Sequence, residues 1–160
     1  MLSKLFKKKN LEVLAPMNGE VIPLEDVPDP VFSQKMMGEG VAIMPTAGKV
    51  LAPMDGEIVL VSDTKHAVGI RAKDGTEILI HVGLETVSLR GEGFTVLVRV
   101  GDHVSVGQLL IEVNLEYIRE HAKSIVTPII ITNGIDKEVQ CSYTNAAIQG
   151  ETVVMNISAK

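Results

Sequence analysis

The sequence is poor in aromatic residues and in cysteine. Only 3% of its 160 residues are aromatic, none is Trp, and Cys141 is the single cysteine. The scarcity of aromatic rings disfavours a nucleic-acid surface, because such surfaces stack bases on rings. One thiol cannot form an internal disulfide or supply a cysteine cluster for a metal, and it fits a reducing compartment. We therefore expect a cytoplasmic protein that does not bind nucleic acid.

An excess of positive charge and a long hydrophobic run are also missing. Fifteen Lys and Arg against twenty Asp and Glu give a net charge of -5, which argues against a broad cationic footprint on nucleic acid. No apolar run approaches the roughly 20 residues of a membrane-spanning helix. Residues 1–10 are basic and are expected to be flexible, with Leu2, Leu5 and Phe6 at helical spacing. Two interpretations stay open for them: a disordered solubilising tail, or a weak amphipathic anchor on an anionic membrane.

What the sequence does contain is a Val- and Ile-rich background interrupted by 14 Gly and 7 Pro, which is typical of many short strands. Residues 13–21 return as residues 50–58 with seven of nine positions identical. Both copies place Pro, one residue, Asn or Asp, and Gly between apolar flanks, which predicts strand, tight turn, strand. We therefore expect an all-β fold, an antiparallel β-sandwich or flattened barrel with internal duplication and one or two short helical segments.

Turn signals recur between the other apolar segments. Further strands are predicted at 57–61, 67–72, 77–82, 95–100, 109–113, 129–132, 138–143 and 152–157. A short helix is predicted from Leu115 to Lys123, with Asn114 as its N-cap and Ile118 on its apolar face. No linker or charge block interrupts the chain after residue 10, so residues 11–160 are expected to form one domain.

The segment from residue 62 to 83 carries the candidate chemistry. Asp74-Gly75 between two Val- and Ile-rich runs predicts a β-hairpin with a two-residue loop. In that register His66 is the diagonal neighbour of His81 on one face of the hairpin. Leu79 shares this face and is expected to be exposed beside His81, because the alternate residues of its strand supply the apolar inner face.

Two neutral imidazoles that address one point permit two kinds of chemistry. One is phosphoryl transfer, in which one ring nitrogen attacks the phosphoryl group and the other ring donates hydrogen bonds to its oxygens. The other is binding of a divalent metal. A stable metal site needs three or four ligands, and no third ligand stands at a fixed spacing from His66 and His81, so that site would be partial.

Residues 75–87, Gly-Thr-Glu-Ile-Leu-Ile-His-Val-Gly-Leu-Glu-Thr-Val, closely resemble the active-site signature of the glucose-type IIA components of the bacterial phosphoenolpyruvate-dependent sugar phosphotransferase system. The resemblance covers residues 11–160 and includes the segments 38–45, 63–67, 89–94 and 122–128. It implies that His81 is phosphorylated on Nε2, that His66 stabilises the phosphoryl group and that Thr64 orients His66. It implies no required cofactor, and zinc at His66 and His81 where a partner supplies the missing ligand.

The resemblance further implies a phosphotransferase with protein partners. The donor would be the phosphocarrier HPr, the acceptor a cysteine on the IIB domain of a glucose-family permease, and regulated enzymes or permeases would be further partners. A docking patch is expected around His81, formed by apolar residues and two acidic ones: Val31, Phe32, Met36, Met37, Leu79, Asp29 and Glu85. The sequence departs from its relatives at Ser62 and Leu79, where Phe is frequent, and at Glu85, where Asp is common.

Two rival interpretations use other features of the chain. Residues 50–58 with residues 100–113 resemble the flattened barrel of biotinyl and lipoyl carrier domains. Those domains present a lysine within Met-Lys-Met, and this chain has Glu112-Val-Asn-Leu instead, so the likeness indicates shared architecture. The other alternative is a regulatory binding protein in which His66 and His81 form a zinc site shared with a partner. It would carry no acid-labile phosphate.

Overall fold

The computed structural model describes residues 10–160, so the predictions for the tail lie outside the described residues except at Asn10. Within this range the strands, all paired in antiparallel fashion, are β1 (Leu11–Leu14), β2 (Gly19–Pro23), β3 (Glu39–Pro45), β4 (Lys49–Leu51), β5 (Gly56–Val61), β6 (Ala67–Arg71), β7 (Glu77–His81), β8 (Phe94–Val96), β9 (His103–Val104), β10 (Leu109–Val113), β11 (Thr127–Ile131), β12 (Lys137–Cys141), β13 (Thr144–Ala147) and β14 (Val153–Ala159). The helical elements are α1 (Pro30–Ser33), α2 (Leu115–His121) and 3-10 turns at Leu24–Asp26 and Thr86–Leu89. The predicted antiparallel all-β fold with short helices is confirmed.

The described strands form one large sheet and two small ones. The large sheet has the order β13-β2-β3-β11-β7-β6-β5-β9, and the small sheets have the orders β1-β14-β12 and β4-β10-β8. Successive side chains along a strand point to opposite faces of the sheet. Successive residues of the central strands are apolar, so the large sheet packs apolar residues on both faces. One face joins the main core, and the other holds a smaller cluster that includes Leu24, Phe32, Leu79, Leu84 and Ile130. Phe32 and Leu79, two residues of the expected docking patch, therefore belong to this smaller cluster.

The repeated segment builds the same turn twice, but neither copy is a hairpin. In the first copy β1 pairs with β14 while β2 pairs with β3 and β13, so the turn carries the chain from a small sheet into the large one. The second copy does the same between β4 and β5. The two turns bind each other at equivalent positions, with Leu14 N donating to Pro53 O at 2.9 Å and Leu51 N donating to Pro16 O at 2.8 Å. The duplication in the sequence is therefore also present in the hydrogen bonding.

The polar residue of each repeat has the same task in both copies. The Asn18 side-chain oxygen accepts from Gln149 N, and the Asp55 side-chain oxygen accepts from Val106 N, each at 2.8 Å. Each bond ties a repeat turn to the loop that precedes a later strand, β14 in one case and β10 in the other. The repeat thus sets the frame that holds both halves of the sandwich together.

The loop of the β6–β7 hairpin is one residue longer than predicted. Ala67 lies opposite His81, and Ala72 N donates to Thr76 O at 2.8 Å, which leaves three loop residues. Gly75 adopts φ 93, and the Asp74 carboxylate accepts from Thr76 N. A three-residue loop of this type ends in a left-handed residue, which Gly adopts without steric cost. The predicted two-residue loop is therefore wrong. Residues 67–71, which precede the loop, have side chains on the opposite faces of the sheet from those predicted.

The shifted register changes which residues reach the core. Val68 and Ile70 join Ile78 and Ile80 in the main core, whereas Leu79 belongs to the smaller cluster on the opposite face. Leu79 is only 9% exposed, because the elements between β2 and β3 cover it together with its cluster. The expectation that Leu79 is exposed is therefore wrong.

Helix α2 and the end of β8 differ slightly from the prediction. Asn114 caps α2 by accepting from Tyr117 N, and Ile118 is fully buried, as expected. The helix ends at His121, because Ala122 is extended. Strand β8 ends at Val96, earlier than the predicted residue 100. No helix within residues 10–160 has the length and hydropathy to cross a bilayer.

Candidate active site

His81 is the last residue of β7, and its ring is held by the turn that follows. Its Nδ1 lies 2.9 Å from the Gly83 carbonyl oxygen. Because a carbonyl oxygen only accepts hydrogen bonds, Nδ1 carries the proton of the neutral ring. Nε2 is therefore the nitrogen with a free lone pair, and the side chain is partly exposed.

The turn after His81 requires glycine at residue 83. Gly83 has φ 79, and a Cβ there would lie 2.5 Å from Thr86 Cγ2 and 2.9 Å from Ser124 O. The fully buried Thr86 donates its hydroxyl hydrogen to Val82 O at 2.8 Å. These contacts fix the carbonyl that sets the His81 tautomer.

His66 lies in the turn between β5 and β6, one residue before the β6 ladder begins. Ser62 N donates to Ala67 O at 3.0 Å, and Lys65 adopts the left-handed φ of 64. Val82 N donates to His66 O at 2.7 Å, which holds this turn against the chain that follows His81. The His66 ring centroid lies 4.7 Å from that of His81, with an angle of 79° between the planes. The expected proximity of the two imidazoles is confirmed, although the turn and not a shared strand face produces it.

Two hydroxyl groups approach Nδ1 of His66. Thr64 Oγ1 lies 2.8 Å from this nitrogen and Ser62 Oγ lies 3.4 Å from it. Ser62 Oγ also accepts from Ala67 N at 3.1 Å. The contact of Thr64 with His66 is the geometry that its expected orienting role needs. Ser62 is an additional neighbour of His66. From the sequence, this position is notable only because relatives frequently have Phe there.

Burial keeps both imidazoles neutral. Removal from water lowers the pKa of His66 to about 4, helped by the nearby His81 and opposed by a hydrogen bond with the main chain of Thr64. Burial also lowers the pKa of His81, against the hydrogen bond to Gly83 and the negative charge of Asp29. At pH 7 each ring therefore has one protonated and one free nitrogen.

Two phenylalanines flank the histidine pair. The Phe32 ring centroid lies 5.1 Å from that of His81, and the Phe94 centroid lies 6.5 Å from that of His66. Phe32 is 4% exposed and Phe94 is 6% exposed, so both are walls of the site. Phe32 therefore does not supply the exposed contact surface expected of it, because it packs in the same smaller cluster as Leu79. Phe94 was not among the predicted site residues, although its segment carried part of the sequence resemblance.

A shallow depression of about 310 Å³ opens over His81. Its lining residues are Asp29, Val31, Phe32, Met37, His81, Glu85, Thr86 and Val87. Val31 and Met37 are exposed, as expected, and Val87 is a further exposed residue at 58% that the sequence did not indicate. Met36 is exposed on the same loop but lines a different depression. Asp29 caps α1 by accepting from Val31 N.

The histidine pair offers two ligands to a metal ion. Among residues 10–160, no group of three or more His, Cys, Asp or Glu side chains is placed to hold a metal. Imidazole suits zinc, and a stable zinc site needs three or four protein ligands. A zinc ion at His66 and His81 would therefore need at least one ligand besides those that residues 10–160 bring together.

Comparison with known proteins identifies the family. Residues 11–136 match the family described as phosphoenolpyruvate-dependent sugar phosphotransferase system, EIIA 1. The chain belongs to this EIIA family. The PTS system glucose-specific EIIA component of Staphylococcus epidermidis is 49% identical over 164 residues, 99% of each chain, and that of Staphylococcus aureus strain COL is 50% identical over 165 residues with the same coverage.

A solved structure of the same family has the same fold. Glucose permease IIA from Mycoplasma capricolum superposes with a TM-score of 0.88 at 41% identity, covering 94% of this chain and 97% of that one. The resemblance to glucose-type IIA components is therefore confirmed, and the chain is an EIIA component of the sugar phosphotransferase system. This assignment favours the EIIA interpretation over the biotinyl- and lipoyl-carrier one.

Proposed function

We propose that this EIIA protein accepts a phosphoryl group on Nε2 of His81 from phosphorylated HPr and passes it to a cysteine on the IIB domain of a glucose-family permease. The observation that carries the proposal is the hydrogen bond from His81 Nδ1 to Gly83 O at 2.9 Å. That bond leaves Nε2 unprotonated at neutral pH, as a nucleophile must be. A reducing cytoplasm fits an acceptor that reacts as a thiolate.

The two transfers balance without water. In the first, HPr carries the phosphoryl group on a histidine. The Nε2 lone pair of His81 forms a bond to phosphorus while the phosphorus–nitrogen bond of that histidine breaks and its electron pair returns to the donor imidazole. In the second, the acceptor thiolate forms a sulfur–phosphorus bond while the His81 Nε2–phosphorus bond breaks. His81 ends each cycle neutral, with its proton still on Nδ1.

His66 is proposed to stabilise the charge on the moving phosphoryl group. Its neutral ring presents an N–H group from Nε2 when Nδ1 accepts a hydrogen bond from Thr64. Donors aimed at phosphoryl oxygens lower the barrier, because those oxygens carry the charge of the transition state. A neutral ring also avoids trapping the phosphorylated intermediate with a full positive charge.

The surface around His81 suits protein partners. Val31, Met37 and Val87 are exposed apolar contacts, and Asp29 and Glu85 add negative charge beside them. An acidic rim favours a donor that presents a cationic face, and a flexible Met adapts to two differently shaped partners. Phe32 and Leu79 support this surface from beneath as buried residues, and Met36 is an outer contact.

One labelling experiment tests the assignment of His81. Incubation with phosphoenolpyruvate, enzyme I and HPr should place an acid-labile, alkali-stable phosphoryl group on the protein, and His81→Ala should abolish it. His103→Ala is a matched control, because His103 is exposed on β9. No labelling of the wild type, or full labelling of His81→Ala, would contradict the proposal.

His66 should behave differently from His81. His66→Ala should still accept the phosphoryl group, because the nucleophile is intact, and should pass it to the IIB domain at least about tenfold more slowly. Single-turnover transfer from the phosphorylated protein to an isolated IIB domain measures this step. Normal onward transfer in the variant would show that the second imidazole has no part in it.

A second candidate function is regulation through zinc shared with a partner. It is favoured by the 4.7 Å separation of the two rings, which brings two imidazoles to one point. Zinc should bind weakly to the protein alone and should strengthen its association with a regulated enzyme, an effect that His66→Gln removes. Association that is insensitive to zinc chelation would exclude this function.

A further inference from the structure

Ser62 is placed next to His66 by the turn between β5 and β6. Its Oγ lies 3.4 Å from His66 Nδ1 and accepts a hydrogen bond from Ala67 N at 3.1 Å. Its main chain closes the turn independently, through Ser62 N to Ala67 O and Lys65 N to Ser62 O. The hydroxyl group is thus an addition to a turn that its backbone already holds.

The hydrogen bond from Ala67 decides what the Ser62 hydroxyl has left to offer. A hydroxyl group donates once, and its oxygen accepts. A main-chain N–H can only donate, so the bond from Ala67 uses the oxygen and leaves the Ser62 O–H free. His66 Nδ1 lies 3.4 Å from the Ser62 hydroxyl oxygen and can accept this hydrogen, and Thr64 Oγ1 approaches the same nitrogen at 2.8 Å.

We propose that Ser62 is a positioning residue that, together with Thr64, holds His66 in the tautomer with its proton on Nε2. Two hydroxyl donors around Nδ1 favour the form in which this nitrogen is unprotonated. The proton then lies on the nitrogen that can face a phosphoryl group on His81. With the opposite tautomer His66 would present a lone pair to the phosphoryl oxygens and repel them. The catalytic consequence rests on the proposed function, whereas the tautomer itself does not.

The tautomer is measurable without any phosphoryl transfer. Long-range proton–nitrogen correlation spectra of ¹⁵N-labelled protein at pH 8 distinguish the two neutral forms of each histidine. We expect Nε2–H for His66 and Nδ1–H for His81 in the wild type. Ser62→Ala should raise the Nδ1–H population of His66 several-fold, and Ser62→Thr, which keeps a hydroxyl group, should restore the wild-type spectrum.

Two further variants keep the test decisive. Ser62→Cys keeps the size of the side chain but donates weakly, so it should lie between wild type and Ser62→Ala, and it serves if Ser62→Ala does not fold. Ser88→Ala is the matched control, because Ser88 is exposed and its hydroxyl group donates to Glu85 O. It should leave the His66 signals unchanged.

Onward transfer provides the functional readout. Ser62→Ala should slow transfer to the acceptor by about three- to tenfold while the protein still accepts the phosphoryl group, with recovery in Ser62→Thr. An unchanged His66 tautomer in both Ser62→Ala and Ser62→Cys would overturn the inference, as would an Nδ1–H tautomer of His66 in the wild type. If the tautomer shifts as expected but His81 is never phosphorylated, the proposed function fails and the positioning role of Ser62 stands.

Discussion

At the scale of single residues, the buried His66 links the chemistry of the site to the stability of the protein. The unfolded chain protonates this ring near its ordinary pKa of 6.5, whereas the folded chain does so only at a pKa of about 4. Unfolding therefore takes up a proton between these values, and the free energy of unfolding falls as the pH drops through this window. The buried neutral His66 thus favours the folded protein at neutral pH, and the folded protein loses stability in acid.

We expect this group to remove about 3 kcal/mol of stability between pH 7 and pH 4. Carboxylates titrate in the same range, so the measurement is a comparison of denaturant unfolding for wild type and His66→Gln across the window. The stability of the variant should fall less steeply, by about that amount, while His103→Gln should follow the wild type. Parallel profiles for wild type and His66→Gln would show that burial does not shift the pKa of His66.

Glu85 adopts a left-handed backbone conformation that is unfavourable for its type of side chain. It has φ 59 at the start of the 3-10 turn Thr86–Leu89, without a side-chain capping bond. A left-handed conformation is unfavourable for a residue such as Glu and is tolerated by Asn. Glu85→Asn should therefore raise the free energy of unfolding by about 0.5–1 kcal/mol. Glu151→Asn, an exposed change without a positive φ, should be neutral, and a loss of stability in Glu85→Asn would contradict the strain.

The sequence predicts the reactive residues of the site better than it predicts the residues that form the walls of the site. His66, His81 and Thr64 are close in the chain, and a local signature identifies them, although the turn between β5 and β6 and not the predicted hairpin register brings them together. The burial of Leu79 depends on a cover that a distant segment supplies, and alternation along a strand cannot distinguish a covered face from an exposed one. Phe94 reaches His66 only through long-range packing, and no local pattern indicates that contact.

At the scale of elements, the β6–β7 hairpin shows how one loop residue sets a register. Asp-Gly between two apolar runs is compatible with a two- or a three-residue loop, and the two differ by one residue in pairing. The longer loop sends Val68 and Ile70 into the core beside Ile78 and Ile80. Burial of four branched side chains on one face is the physical reason for this register. The sequence does not reveal it, because apolar residues occupy both faces in the middle of both strands.

Gly75 should be the sensitive position of this hairpin. It has φ 93, and no atom lies within 4 Å of the position that a Cβ would take, so a side chain would meet strain and no clash. Gly75→Ala should lower the free energy of unfolding by about 1 kcal/mol, and Gly75→Asn by less, because Asn tolerates the left-handed region. Urea unfolding of both variants beside Lys73→Ala, an exposed change in the same loop, measures the difference. Equal stability of all three would contradict the role of φ.

At the scale of the whole molecule, the duplication builds a symmetric frame and the site breaks the symmetry. The reciprocal bonds of Leu14 to Pro53 and Leu51 to Pro16 join the two repeats at their turns. After the first repeat the chain forms α1 and the cover over the large sheet, and after the second it forms the hairpin region with both histidines. One half of the duplication therefore supplies the histidine pair, Phe94 and part of the rim, and the other supplies Phe32 and the rest of the rim.

This division predicts that the frame can be weakened without loss of chemistry. Asn18 and Asp55 hold equivalent bonds, so Asn18→Ala and Asp55→Ala should each lower the free energy of unfolding by about 1–2 kcal/mol. Neither residue lines the depression over His81, so phosphorylation of the folded variants should match the wild type. Denaturant unfolding and the labelling assay on the same samples measure both effects. A stability loss confined to one variant would show that the repeats share their sequence but not their structural role, and reduced labelling would connect the frame to the site after all.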